Sequence, residues 1–500
     1  MLEASLAGLT SILDPGTLLV ILFGVMIGLM FGVVPGLGGT VLLAVLIPFI
    51  YPMDAHMALA FLLASNAAVV FGGSITAILF NVPGTAQNIA TCFDGYPMTQ
   101  KGQSARALGI SATASLIGGL FGVVVLTALI PLVRPILIYF GPAELFALTI
   151  FGLVIIAFLG EGSIVKGVIA GGFGLLLSFV GADPITGISR FNLDQTWLLD
   201  GLDFVAVVIG IFAISQVIEL YVNKGSIVQD TGAVERGRSS VWEGVRDVLG
   251  RPFITLRSSA LGAFIGIIPG VGGTVANILA YGQAMQMSKD RSDFGKGAVN
   301  GVLGPEASNN ATDGGSLLPT LAFGIPGGEA TAILLGAFIL KGIDTGPSML
   351  TENLDIVFVL VWAIAIANVI ASLVGLQFAL RMVRFTFLRG EIIGPFILTV
   401  GVVGAFAAEG HFAAVWVALA FGVLGYFMKK YGFPKAPLVI GLVLGIITER
   451  YLQISLRTYG DAFFLFDRPL ALVLMIVALG VLVFPFATKL LGSRQAGAAK

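Results

Sequence analysis

Uncharged apolar runs recur along this chain, among them Leu18 to Val34 and Gly109 to Val133. A helix needs about 20 such residues to cross a bilayer, and about a dozen stretches qualify. With 57% hydrophobic and only 11% charged residues in 500, the chain has too little polar surface to enclose a water-soluble core. Lipid must be its solvent, and the expected fold class is an all-α polytopic membrane protein of about 12 membrane segments. No Lys or Arg precedes the first run and many more runs follow it, so it reads as a membrane segment rather than a cleaved leader. The single Cys92 excludes an intramolecular disulfide framework and a multi-Cys metal site, and no covalently bound cofactor is expected. A net charge of −1 gives no reason to expect a nucleic acid partner.

Charge placement orients the chain. No Lys or Arg occurs before Lys101, whereas that stretch carries Glu3, Asp14, Asp54 and Asp94, so the amino terminus is expected outside. The polar stretch from Lys224 to Arg257 holds Lys224, Arg236, Arg238, Arg246, Arg251 and Arg257 and reads as a cytoplasmic linker. The tail after Asp467 is basic and is also expected inside. Arg134, Arg190 and Arg381 sit near the ends of apolar runs and are expected to snorkel to the headgroups.

The two halves repeat each other. Gly32-Val-Val-Pro-Gly-Leu-Gly-Gly-Thr40 reappears as Gly266-Ile-Ile-Pro-Gly-Val-Gly-Gly-Thr274. In the same order, Ala64-Ser65-Asn66 recurs as Ala307-Ser308-Asn309, Gly72-Gly73-Ser74 as Gly314-Gly315-Ser316, and Phe80-Asn-Val-Pro83-Gly84 as Phe323-Gly-Ile-Pro326-Gly327. The first copy follows an acidic, external terminus and the second follows the basic linker, so the repeats should be inverted. The organisation expected is a first membrane repeat over 1–222, a basic cytoplasmic linker over 223–257, and a second repeat over 258–500 with additional C-terminal helices. Inverted repeats with broken helices and re-entrant hairpins point to a secondary transporter whose site lies near midplane.

Proline removes a backbone donor and glycine admits positive φ, so Pro35-Gly36 and Pro269-Gly270 should each split a helix. Irregular backbone at membrane depth must be buried in protein or line a wet cavity. The following Gly38-Gly39-Thr40 and Gly272-Gly273-Thr274 would begin new half-helices with free N–H groups, Thr40 or Thr274 serving as caps. Such N-termini attract anions, and two of them would suit two carboxylates. The same reasoning makes candidate substrate ligands of Pro83, Gly84 and Thr85, with Asn81 and Gln87 beside them, and of Pro326, Gly327 and Gly328 in the second copy. Ser65, Asn66, Ser308, Asn309 and Asn310 offer the hard neutral oxygens an alkali cation accepts and are candidate sodium ligands. The same residues would equally serve as hydrogen-bonding links between helices. Asp313 and Glu329 lie near the second interruption and could bind a cation or a proton. Neither an HExxH sequence nor an Asp-rich pair for a diphosphate is present, which disfavours an intramembrane enzyme. A passive channel would want rings of charge or carbonyls rather than inverted broken repeats.

At these residues the chain resembles the large membrane subunit of the tripartite tricarboxylate transporters over nearly its whole length. The likeness is carried by the two Pro-Gly-x-Gly-Gly-Thr segments, by Gly72 to Thr85, by Asp94-Gly-Tyr-Pro-Met98, by Asp183-Pro-Ile-Thr-Gly187 with Arg190-Phe191, and by the block from Gly304 to Gly327. The resemblance implies sodium- or proton-driven uptake of citrate-like tricarboxylates and other organic acids across a bacterial inner membrane. It also implies two partners, a periplasmic solute-binding protein and a small four-helix membrane subunit.

Overall fold

The computed structural model describes residues 1–159, 163–183, 186–222, 240–386, 390–460 and 463–498. After α1 (Leu2–Leu13), the Asp14 carboxylate accepts from the Gly16 and Thr17 amides at 3.0 and 3.1 Å, which fixes the start of α2 (Pro15–Val33). The first repeat continues through α3 (Gly39–Leu46), α4 (Ala55–Phe80), α5 (Ile89–Gln100) and α6 (Ser104–Leu137). Next come α7 (Pro142–Leu159), α8 (Ile164–Leu177), a two-stranded hairpin of β1 (Gly181–Ala182) and β2 (Ser189–Arg190), and α9 (Phe204–Val222), which carries a π turn over Ile209–Ile214. The short α10 (Val241–Leu249) leads into the second repeat, α11 (Pro252–Ile267), α12 (Gly272–Met287), α13 (Val299–Phe323), α14 (Glu329–Leu340) and α15 (Leu354–Thr386). Four further helices follow, α16 (Gly390–Glu409), α17 (Phe412–Lys430), α18 (Ala436–Tyr459) and α19 (Pro469–Ala498).

Eight helices among the described residues are long and apolar enough to cross a membrane, and α3, α11 and α14 are shorter apolar helices. The expected spans shorten where proline and glycine cut them. The all-α polytopic architecture is as composition requires.

Small residues set the packing, since lipid tails give apolar side chains little reason to prefer one another. Gly24, Gly28 and Gly32 lie one turn apart on α2 and press directly on Phe61, Ser65 and Val69 of α4, so these helices run parallel. Gly262 and Gly266 of α11 meet Ser308 and Thr312 of α13 in the same way. The long helices are exchanged between the copies: α6 packs on α13, with Gly118 against Ala307 and Gly122 against Ala311, while α15 packs on α4, with Gly375 against Phe71.

These contacts also give direction. Thr99 near the end of α5 donates to Ile78 O at 2.8 Å, placing the start of α6 beside the end of α4. Further along, Ser111 and Ser115 reach the same carboxylate, Glu306, that Ser74 reaches, so α6 runs back along α4. Since α13 runs parallel to α6, it opposes α4, and the two repeats are inverted.

Residues 223–239 of the expected linker lie outside the described residues. Its remainder is more structured than the charge pattern suggested, because α11 already starts at Pro252 and α10 docks on the first turns of α6. Gly244 lies against the Arg106 carbonyl, and Arg106 Nε pairs with Asp247 at 2.6 Å. Burial opposes the Asp247 charge, yet hydrogen bonds from Arg106 and Arg251 outweigh it and hold this carboxyl below the usual range. A depressed carboxyl pKa contributes stability above the ordinary value near ~4 that is lost as pH falls through the folded value. Asp247→Asn is therefore expected to loosen α10 at neutral pH by about 1 kcal/mol, as acid does in the wild type. Hydrogen exchange of the 241–249 amides reads this out, and exchange unchanged in the variant would contradict it.

Arg190 has specific partners in the protein. It binds Glu449 through both terminal nitrogens and lies 3.3 Å from Asp183, and Gln453 bonds the same Asp183 at 2.8 Å. The residue after β1 and α18 supply these two acids, and the guanidinium stays partly exposed between them. The Arg381 side chain lies outside the described residues.

Candidate functional site

Both Pro-Gly pairs break their helices. Gly36 and Gly270 take φ of 85° and 80°, left-handed values that a side chain disfavours, and the chain restarts as α3 and α12. Gly38 and Gly272 face open space, with no atom within 4 Å of where a side chain would begin. Thr40 and Thr274 are not caps. The structure places them inside the first turns of α3 and α12, whose N-termini carry no side-chain cap, so those amides stay free for another acceptor.

The two tips are built alike. Asn81 and Gly324 end α4 and α13 in left-handed conformation, φ 58° and 69°. The chain then folds back along the helix it has left, Gly84 N reaching Gly73 O at 3.3 Å and Ile325 N reaching Pro319 O at 3.3 Å. Asn81 thus serves through its backbone, its side chain being exposed. The tips meet the breaks. Gly84 lies against Gly32, and in the second copy Gly270 N donates to Gly327 O at 3.0 Å while Gly272 Cα lies 4.0 Å from where a Gly328 side chain would begin.

The copies also reach across to one another. Gln87, from the first tip, lies on Gly273 at the start of α12, and Asn277 one turn further on accepts from Ala90 N at 2.9 Å. Along α13, Asn309, Asp313 and Ser316 share a face by their spacing of four and three, and Ser316 packs on Gly327. That face therefore looks toward the second tip. Several polar atoms in this region are buried without a hydrogen-bond partner: Gln87 Oε1, Asn277 Nδ2, both side-chain polar atoms of Asn309, Asn310 Oδ1 and Asp313 Oδ2. Such groups are costly unless something binds them.

The five sodium candidates separate. Ser65 Oγ donates to Phe61 O at 2.8 Å and sits at the α2 crossing, and Ser308 Oγ donates to Ala276 O at 3.2 Å beside Gly262, so both act in packing. Asn66 Oδ1 lies 2.8 Å from where a Gly39 side chain would begin. Asn310 spends its amide on Asn368 Oδ1 at 2.7 Å, leaving its own carbonyl free, and Asn309 is unengaged.

A family model for the tripartite tricarboxylate transporter TctA family matches residues 18–440. The chain belongs to this family. As a TctA-family chain it belongs with membrane transporters rather than enzymes, in a system of several subunits that includes a substrate-binding protein. It is similar to an uncharacterized 52.8 kDa protein in the TAR-I ttuC′ 3′ region of Agrobacterium vitis, 30% identical over 492 residues, 98% of this chain and 97% of that protein. A second protein, in the TAR-II ttuC′ 3′ region of the same organism, is 31% identical over 215 residues, 43% of this chain and 89% of its own length. No solved structure matches.

The matched span of this TctA-family chain takes in a cation that sequence reasoning passed over. Lys435, in the turn before α18, donates to Ser215 Oγ at 2.6 Å, and the next residue, Gln216, reaches Gly36 at the first break. Glu329, which opens α14 at the second tip, is close enough to act on its charge. Its only local signal is a lysine held between Pro434 and Pro437 at the head of an apolar run.

Proposed function

We propose that this chain is the membrane-spanning subunit of a secondary transporter that imports a di- or tricarboxylate such as citrate across a bacterial inner membrane. A periplasmic solute-binding protein would deliver the substrate, and a small four-helix membrane subunit would complete the complex. The observation that carries this reading is the convergence at Gly272: a helix N-terminus with uncapped amides and open space before it, a second tip at Gly328, and Gln87 arriving from the other repeat. Free backbone donors at a helix N-terminus bind carboxylate groups without fixing the rest of the molecule. Inverted repeats meeting at such a place suit alternating access by movement of one repeat against the other.

Coupling to a cation follows from charge. A carboxylate brought to this region meets Asp313 and is repelled unless a cation or proton intervenes. The unpartnered oxygens of Asp313 and Asn309, one turn apart on α13, fit sodium as the coupling ion, which prefers hard oxygen ligands. Uptake of labelled citrate by proteoliposomes holding the full complex, with and without an inward sodium gradient, tests the reading.

Lys435 supplies a positive charge for the incoming acid. Burial, helped by Lys429 and opposed by Glu219 and Glu329, brings its pKa down to about 8. The ammonium form is thus lost as pH rises through that value, and with it the attraction for a carboxylate. The half-saturating substrate concentration is expected to rise about fivefold between pH 8 and 9. Lys435→Arg should flatten that dependence at the low-pH concentration, and Lys435→Met should flatten it at the raised value the wild type reaches at high pH. A wild-type pH profile retained in Lys435→Met would exclude this role.

A further inference from the structure

Glu306 is fully buried in α13 and takes no part in the site described above. Four hydroxyls from the other repeat surround its carboxylate: Ser74 of α4 at 2.8 and 2.9 Å, Thr91 of α5 at 2.5 Å, and Ser111 and Ser115 of α6 at 2.7 and 2.9 Å. One of them leads further. Asn88 Nδ2 donates to Ser74 Oγ at 2.8 Å, and Asn88 Oδ1 accepts from the Thr85 hydroxyl at 2.6 Å and the Thr85 amide at 3.3 Å. Thr85 is the tip itself, next to Gly84 and two residues from Gln87.

The direction of this chain is set by the groups in it. An amide nitrogen can only donate, so Ser74 Oγ accepts from Asn88 and its own proton turns to Glu306. The alternative acceptor, Val70 O, is 3.4 Å away and already takes the other Asn88 amide proton at 3.1 Å. Asn88 in turn presents its carbonyl to Thr85 because its amide faces Ser74. Each group holds the next in one orientation.

The second tip has no such support. By the repeat alignment Leu63 stands where Glu306 would, buried and apolar. Thr331 stands where Asn88 would, and its hydroxyl bonds only Gly328, accepting from the amide at 2.8 Å and reaching the carbonyl at 2.9 Å. One tip is thus tied to the opposite repeat through a buried carboxylate, and the other is closed on itself.

We propose that Glu306 is a positioning residue for substrate binding, holding the first hairpin tip and its Gln87 in place through Ser74 and Asn88. It touches neither substrate nor ion. Its effect on uptake rests on the transporter reading above, whereas its hold on the tip does not.

The test places a spin label at Ala86→Cys, exposed on the first tip, with the buried Cys92 left in place, and another at Ala330→Cys beside the second tip. In the full complex, Ser74→Ala is expected to free the label at 86 and leave that at 330 unchanged, and Glu306→Gln to do the same. Ser115→Ala removes a donor from the same carboxylate off the Ser74–Asn88 path and should free neither. Without the label, Ser74→Ala should raise the half-saturating substrate concentration about tenfold with maximal rate within about twofold, since one buried hydrogen bond is lost. The proposal is overturned if Ser74→Ala leaves position 86 immobile, or if Ser115→Ala frees it equally. The serine pair decides the matter even if Glu306→Gln does not fold. Failure of the wild type to accumulate any organic acid would overturn the transporter reading while the label comparison still stood.

Discussion

Gly84→Leu is expected to abolish uptake in a protein that still inserts and assembles. The first atom of any side chain at position 84 would run into the Gly32 carbonyl and Gly73 Cα, both backbone, with Thr76 Oγ1 at 3.1 Å. Backbone cannot move aside as a side-chain end does, so the tip must lift away from the break. Overpacking of this kind costs about 1–3 kcal/mol, which a protein with many other glycine-mediated helix crossings can absorb. The site cannot, because a displacement of roughly 1 Å in a binding geometry costs on the order of 100-fold in rate. Gly327→Leu should behave the same way, its side chain meeting Ser316 Cβ and Cα at 2.6 and 2.7 Å. Uptake above about a tenth of wild type in both variants would show that the tips do not form the site.

Asp313→Ala carries the second large effect. If its carboxylate and the Asn309 amide carbonyl hold the coupling cation, removing the charge should raise the sodium concentration for half-maximal uptake on the order of 100-fold. Asn309→Ala, which removes a neutral ligand, should raise it about tenfold. Ser65→Ala and Ser308→Ala, whose hydroxyls serve helix crossings, should leave it unchanged. Wild-type sodium dependence in Asp313→Ala would remove that residue as a ligand and with it the charge argument for coupling at this place.

The fold class was legible because hydropathy is a sum over many residues and tolerates local error. Inversion was legible because a duplicated Pro-Gly-x-Gly-Gly-Thr segment and the change from acidic to basic flanks are independent signals that agree. The breaks were legible because Pro35 and Pro269 act on their own backbone, a local effect. What escaped were effects between residues far apart in the chain. Thr40 and Thr274 looked like caps because Gly-Gly-Thr suits a helix start, yet the helices begin two and three residues earlier than a Thr cap requires. Ser65 and Ser308 suited an ion site and a helix contact equally, and only the approach of Gly24, Gly28 and Gly262 shows what they pack on. Arg190 has its partners at Asp183 and Glu449, on elements no periodicity connects. Glu306 sits in a matched block, and nothing in one dimension says that four hydroxyls from another repeat surround it.

The most direct test of the account is accumulation of an organic acid by proteoliposomes holding this chain, the proposed small membrane subunit and a substrate-loaded solute-binding protein. Under an inward sodium gradient the complex is expected to concentrate citrate or a related di- or tricarboxylate above the outside level, and the Gly84→Leu complex is expected not to. No accumulation of any organic acid under sodium or proton gradients, or equal accumulation by Gly84→Leu, would contradict a carboxylate site formed where the broken repeats meet.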